Sequence, residues 1–212
     1  MKQPQHVVLL LLMIFFVTCQ ESNQSNNQII NDPPATSSEW EQVWADEFDG
    51  DELDLSKWNI LQWRPGWVNN EQQAYTDRDT NVFLQDGNLV IQGLIEPNYS
   101  GTDYNGNQYT SNYTSGRINT DDKFSWTYGR FDIRAKLPGG RGSWPAIWML
   151  GESISSIGWP DCGEIDIMEH VGHQPEHVFF NIHNASSYGD LHGTSQQGVY
   201  ELEDIEDDFH TY

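Results

Sequence analysis

The apolar positions of the chain fall into three regimes, each marking a segment. Val7 to Val17 reads VVLLLLMIFFV, an unbroken run of eleven apolar residues. A membrane-spanning helix needs about 20 residues. The run therefore has the length of a signal-peptide core, with Lys2 as its positive flank. Residues 20–38 (QESNQSNNQIINDPPATSS) carry Ser, Asn, Gln and Pro and almost nothing to bury, the composition of a disordered tether. From Glu39-Trp40 onward the apolar period is two. Between Tyr128 and Leu137, Phe131, Ile133, Ala135 and Leu137 share one strand face, and Arg130, Asp132, Arg134 and Lys136 share the other. Phe83 to Ile95 is expected to form a hairpin turning at Asp86-Gly87-Asn88. Further strands are expected at Val43–Glu47, Gly116–Asn119, Ala146–Leu150, Glu164–His170 and Val178–His183. Gly-, Asn-, Ser-, Tyr- and Pro-rich loops separate them, the longest running from Pro97 to Ser115. No stretch keeps a helical apolar pattern over three turns, and no repeat is evident. The expected fold is all-β, a β-sandwich or jelly roll.

Length and composition narrow this further. The 212 residues suffice for one domain with a substantial core. The expected organisation is a signal peptide over residues 1–18, a tether over 19–38 and a single β-sandwich over 39–212. The chain stops at Phe209-His210-Thr211-Tyr212, which reads as a strand being entered, so this domain is expected to be truncated at its C-terminus, to fold poorly and to show little activity alone. Cys19 stands directly after the leader, where a bacterial lipoprotein carries its acylated cysteine; ordinary signal cleavage nearby is the alternative. Either route implies export, to the outer membrane or cell surface if lipidated and otherwise to the periplasm or medium. With Cys162 as the other cysteine, no structural disulfide is expected.

The formal net charge is −22, which repels phosphate backbones and argues against a nucleic-acid partner. It does not argue against a neutral polymer. Nine Trp, nine Tyr and nine Phe either fill a β-rich core or present rings to the apolar faces of sugars.

The chemistry concentrates in Gly163-Glu164-Ile165-Asp166-Ile167-Met168-Glu169-His170. On a strand, Glu164 and Asp166 share a face while Ile165 and Ile167 point into the core. Strict alternation would bury Glu169 among apolar side chains at a large energetic penalty. A β-bulge near Ile167-Met168 resets the register and returns Glu169 to the acidic face. Glu164 and Glu169 would then lie about 13 Å apart at Cα on a straight strand. Their side chains would have to converge over a concave sheet to approach the ~5–5.5 Å carboxyl separation of a retaining glycosidase. Crowding and burial should raise one pKa, placing a protonated acid beside an ionised nucleophile. The bland alternative is a solvated acidic strand, against which Ile165, Ile167 and Met168 argue.

This segment resembles the E-x-D-x-x-E signature of family 16 glycoside hydrolases, in the bulged form of laminarinases. The resemblance extends to Trp44-Ala45-Asp46-Glu47-Phe48-Asp49-Gly50, to Asn69-Asn70-Glu71-Gln72-Gln73-Ala74-Tyr75-Thr76 and to the stretch from Gly140 to Gly151, GRGSWPAIWMLG. It implies a concanavalin-A-like jelly roll and retaining endo-hydrolysis of β-1,3-glucosidic bonds in laminarin-type glucans. It implies Glu164 as nucleophile, Asp166 as its helper and Glu169 as acid/base, an order the residues alone leave open. It further implies Trp144 and Trp148 beside the scissile bond, Asn70 and Arg117 as polar substrate contacts, and His183 facing the cleft. Trp148 as plain core and Arg117 as an ordinary surface arginine are the alternatives. No cofactor is implied for catalysis. A structural calcium is implied, with Glu47 and the Gly87 carbonyl as ligands.

The expected partner is a β-glucan polysaccharide, the chain acting as a monomer and meeting a membrane only through a lipid on Cys19. Mixed-linkage β-1,3-1,4-glucan is an alternative substrate, and a non-catalytic glycan-binding lipoprotein an alternative function. Sulfated galactans fit poorly, since ten basic residues leave few to bind sulfate. His170 and His173 do not follow the H-E-x-x-H order, so His170 reads as a packed residue and Cys162 as a small buried one.

Overall fold

The structure, a computed structural model, describes residues 7–8, 40–185 and 196–212, with backbone only at 7–8 and 196–197. Cys19 and the tether lie outside the described residues, as does the leader apart from the backbone of Val7–Val8.

Thirteen strands and one helical turn are formed among the described residues. They are β1 (Val7–Val8), β2 (Asn59–Ile60), β3 (Ala74–Tyr75), β4 (Val82–Gln85), β5 (Asn88–Thr102), β6 (Gln108–Ser115) and β7 (Ile118–Asn119), followed by β8 (Arg134–Ala135), β9 (Ala146–Leu150), α1 (Ile154–Ile157), β10 (Glu164–Glu169), β11 (His177–His183), β12 (Gln196–Glu201) and β13 (His210–Thr211). One sheet has the order β1-β5-β6-β3, with β4 also on β5; a second is the antiparallel β12-β11-β10-β9; β13-β8 and β2-β7 are two-stranded. This is the all-β sandwich expected. The core between the sheets centres on Trp58, Ile91, Ile118, Leu137, Ile147, Met168 and Ile205, all buried.

Local sequence explains much of this. The β4–β5 hairpin pairs Gln85 with Asn88, leaving Asp86 and Gly87 as its two-residue turn. Both have positive φ, 54° and 70°. That is the geometry of the turn whose twist matches a hairpin, and Asp-Gly adopts it readily. In the 131–137 segment Ile133, Ala135 and Leu137 are buried and Asp132 and Arg134 exposed, as the alternation predicts, although only Arg134–Ala135 pairs, with β13.

Three expectations are corrected. Pro97–Ser115 is not a loop. β5 continues to Thr102, turns at Asp103–Asn107 and returns as β6. The turn is set by Asp103, whose Oδ1 accepts the N–H groups of Asn105 and Asn107. Tyr, Thr and Ser pairs carry this hairpin, so it lacks the apolar alternation by which a strand is recognised. Val43–Glu47 forms no strand. It packs through Trp44 against the core cluster, and Asp46 accepts the Trp58 indole N–H at 2.8 Å. Ile165 is not a core residue: it is 39% exposed, whereas Met168, after the bulge, is fully buried.

Candidate active site

β10 lies between β9 and β11, and the register gives each acid its neighbours. Glu164 stands opposite Leu150 and His183, and Asp166 opposite Trp148 and Asn181. Against β9 the register then slips between Asp166 and Met168, and against β11 between Asp166 and Glu169. The extra residue is Ile167. It moves Met168 inward and turns Glu169 onto the face of the other two acids. Glu169 is held there at both oxygens: Oε1 accepts the Trp144 indole N–H at 2.9 Å, and Oε2 accepts the Asn181 amide at 2.8 Å.

Asp166 is 5% exposed. Its pKa is pushed up to about 9, first by burial and then by the charges of Glu164 and Glu169. At neutral pH it is a carboxylic acid, able to donate a hydrogen bond to Glu164. His183 Nε2 lies 3.1 Å from its other oxygen, Oδ2. Burial also raises the Glu169 pKa, opposed by the hydrogen bonds from Trp144 and Asn181. The site thus holds a proton on Asp166 and shifts Glu169 in the same direction. Glu164, Asp166 and His183 are also the only acidic, histidine or cysteine group of three whose ligand atoms lie within 4.8 Å of one another among the described residues.

Against Trp148 of β9 stands Arg117. It is only 5% exposed, which removes the surface-arginine reading. Its guanidinium lies 4.4 Å from the Trp63 ring, 4.9 Å from Trp148 and 5.7 Å from Tyr75. Trp148 is half-buried, pairs with Asp166 across the sheet and has its ring 4.9 Å from this cation. Trp144 is 43% exposed. Asn70 lies outside the acid group, exposed on a loop closed by the Gly66 N–H to Glu71 carbonyl bond.

The structure adds two residues that sequence reasoning did not name. Asn181 alternates with His183 on β11 and so shares its face, a signal present in the strand period. Trp159 is 47% exposed, with its ring 5.7 Å from that of His183. Only its position upstream of the acidic strand hinted at this. His170 is fully buried, Nδ1 lying 2.9 Å from the His177 carbonyl and Nε2 3.2 Å from Glu206. Cys162 is half-buried rather than buried.

The calcium expectation rests on Glu47 and Gly87, both exposed. Calcium takes six to eight oxygen ligands. Among the described residues Glu47 joins no group of three acidic, histidine or cysteine side chains, so a calcium held there would take its further oxygen ligands from backbone carbonyls, the Gly87 carbonyl among them, and from solvent.

The family model for glycosyl hydrolases family 16 matches residues 65–212. A β-glucanase of Rhodothermus marinus is 46% identical over 177 residues, covering 82% of this chain and 58% of that protein. Glucan endo-1,3-β-glucosidase A1 of Niallia circulans is 41% identical over 187 residues, covering 80% of this chain and 26% of that protein. The solved laminarinase of Rhodothermus marinus superimposes with a TM-score of 0.71 at 43% identity, covering 82% of this chain and 66% of that one. The chain thus spans between a quarter and two thirds of the length of these relatives.

Proposed function

The chain belongs to the family 16 glycosyl hydrolases, and from that premise we propose that it cleaves internal β-1,3-glucosidic bonds of laminarin-type glucans with retention of configuration. The observation that carries this reading is the bulge at Ile167, which sets Glu169 beside Glu164 and Asp166 with Trp144 and Asn181 as its two donors.

In the proposed reaction Glu169, whose pKa burial raises, acts as the acid and gives a proton to the glycosidic oxygen as the bond to the anomeric carbon breaks. The Glu164 carboxylate attacks that carbon from the opposite side and forms a glycosyl ester. Glu169, now ionised, takes a proton from a water molecule. The water attacks the anomeric carbon, the ester bond breaks and Glu164 leaves as carboxylate. Two inversions give net retention. Asp166 stays protonated and donates to Glu164, orienting it without adding a second negative charge. Trp144, Trp148 and Trp159 offer ring faces to the sugars, and Arg117 offers its N–H groups to their hydroxyls.

The test is reducing-sugar release from laminarin by the wild type and by Glu164→Gln. Equal release would remove the catalytic assignment, and binding without release by the wild type would favour the non-catalytic reading. Products from laminarin and from mixed-linkage glucan, compared side by side, separate the two candidate linkages. The proposal extends to export and acylation at Cys19. Radiolabelled palmitate should enter the wild-type chain and not Cys19→Ser; equal labelling would remove the anchor.

A further inference from the structure

One partly buried carboxyl group of the cleft has no part in the proposed chemistry. Glu71 closes a tight loop, its carbonyl accepting from Gly66 N–H at 2.7 Å and its N–H donating to the Val68 carbonyl at 3.0 Å. Between these bonds Asn69 and Asn70 both have positive φ, 51° and 55°. Two successive non-glycine residues in that region persist only when their surroundings fix them. The Glu71 side chain reaches inward. Its Oε2 accepts the Tyr75 hydroxyl at 2.8 Å, and Gln73 donates to the same hydroxyl at 3.0 Å. Tyr75, 7% exposed, presents its ring 5.7 Å from the Arg117 guanidinium, which feels the negative charge of Glu71 and, more weakly, of Glu164.

Arg117 cannot relieve its burial by losing a proton. Its Nε has no hydrogen-bond partner among the described residues, and ring faces attract a cation without fixing its rotation. The place of the Tyr75 ring therefore helps set that of the guanidinium, and Glu71 sets Tyr75. We propose that Glu71 is a positioning residue: through Tyr75 it holds Arg117 and, through its own backbone, the Asn69-Asn70 turn, so that the guanidinium among its three rings meets a glucan chain in one geometry. This rests on the reading that a glucan occupies the cleft. Glu71 acts on binding, not on the bond that breaks.

The experiment uses Glu71→Gln, Tyr75→Phe and the double variant of the full chain, with laminarin as substrate. Each single change is expected to raise KM about tenfold, with kcat within twofold of wild type. The double variant should be no worse than the poorer single one, because both cut the same relay. An unchanged KM overturns the proposal. Parallel losses in kcat and thermal stability also overturn it, since they mark a general structural role. A second readout needs no glucan: the Arg117 Nε–H and Asn70 backbone amide resonances should shift or broaden in Glu71→Gln. If the wild type neither binds nor cleaves glucan yet these resonances respond, the functional reading fails and the positioning role stands. If they do not respond, the positioning role fails whatever the kinetics.

Discussion

On the face of β10 three carboxyl groups crowd together, while against Trp148 of β9 a single guanidinium sits among three aromatic rings. Both regions bury charge, and they relieve it differently. The acids relieve it by protonation: Asp166 keeps its proton up to about pH 9, and burial raises Glu169 as well. Arg117 keeps its charge, so it needs ring faces and fixed acceptors. A group that can hold or release a proton suits bond cleavage, and one that cannot suits binding. A third charged cluster clarifies the contrast. Arg78, although its side chain is 32% exposed, is hydrogen-bonded to Glu96, Asn81, Thr76 and Thr114, so its donors are taken up within the protein. Similar residue types there make a structural joint.

The largest expected effect falls on the acid region. Glu164→Gln should lower kcat by roughly 10⁴-fold or more while leaving laminarin affinity nearly unchanged. Glu169→Gln should lower kcat by about 10²–10⁴-fold. Steady-state kinetics beside calorimetric binding checks both, and affinity lost together with rate would break the division between the regions. Arg117→Met should do the reverse, raising KM about 10- to 100-fold through lost charged hydrogen bonds, with a small change in kcat. A collapse of kcat at unchanged KM would show the guanidinium acting on the reacting atoms.

A pH prediction follows from Asp166. The folded protein keeps its proton to about pH 9, whereas an unfolded Asp releases it near 4. Between these values the native state binds the extra proton, so stability falls as pH rises. Asp166→Asn should remove much of that fall, leaving urea midpoints at pH 5 and pH 9 closer together than in wild type. Identical slopes in the two proteins would mean that Asp166 is ionised when folded. The smallest effect is expected at Gly87→Ala, where φ of 70° makes a Cβ cost about 1 kcal/mol. Its midpoint should drop slightly, with both kinetic constants intact.

The acid pattern was legible because a strand shows its face in its period. Glu164 and Asp166 could only share a side, and an unbulged Glu169 would be buried without compensation. The Asp86-Gly87 turn and the alternation at 131–137 were legible for the same local reason. Three features were not. The β5–β6 hairpin is held by polar and tyrosine pairs that read as loop. Asn181 as the clamp on Glu169 required knowing which strand lies beside β10. The burial of Arg117 required knowing that Trp63, Tyr75 and Trp148, far apart in the chain, meet around it.

The sequence by itself determined the strand periods, the turns and the presence of an acid-rich strand, because each depends on neighbours a few residues away. Only the tertiary structure decided which acids keep their protons and how the cation is held. Both depend on desolvation and on charges brought from other strands, and these exist only once the sheets have packed.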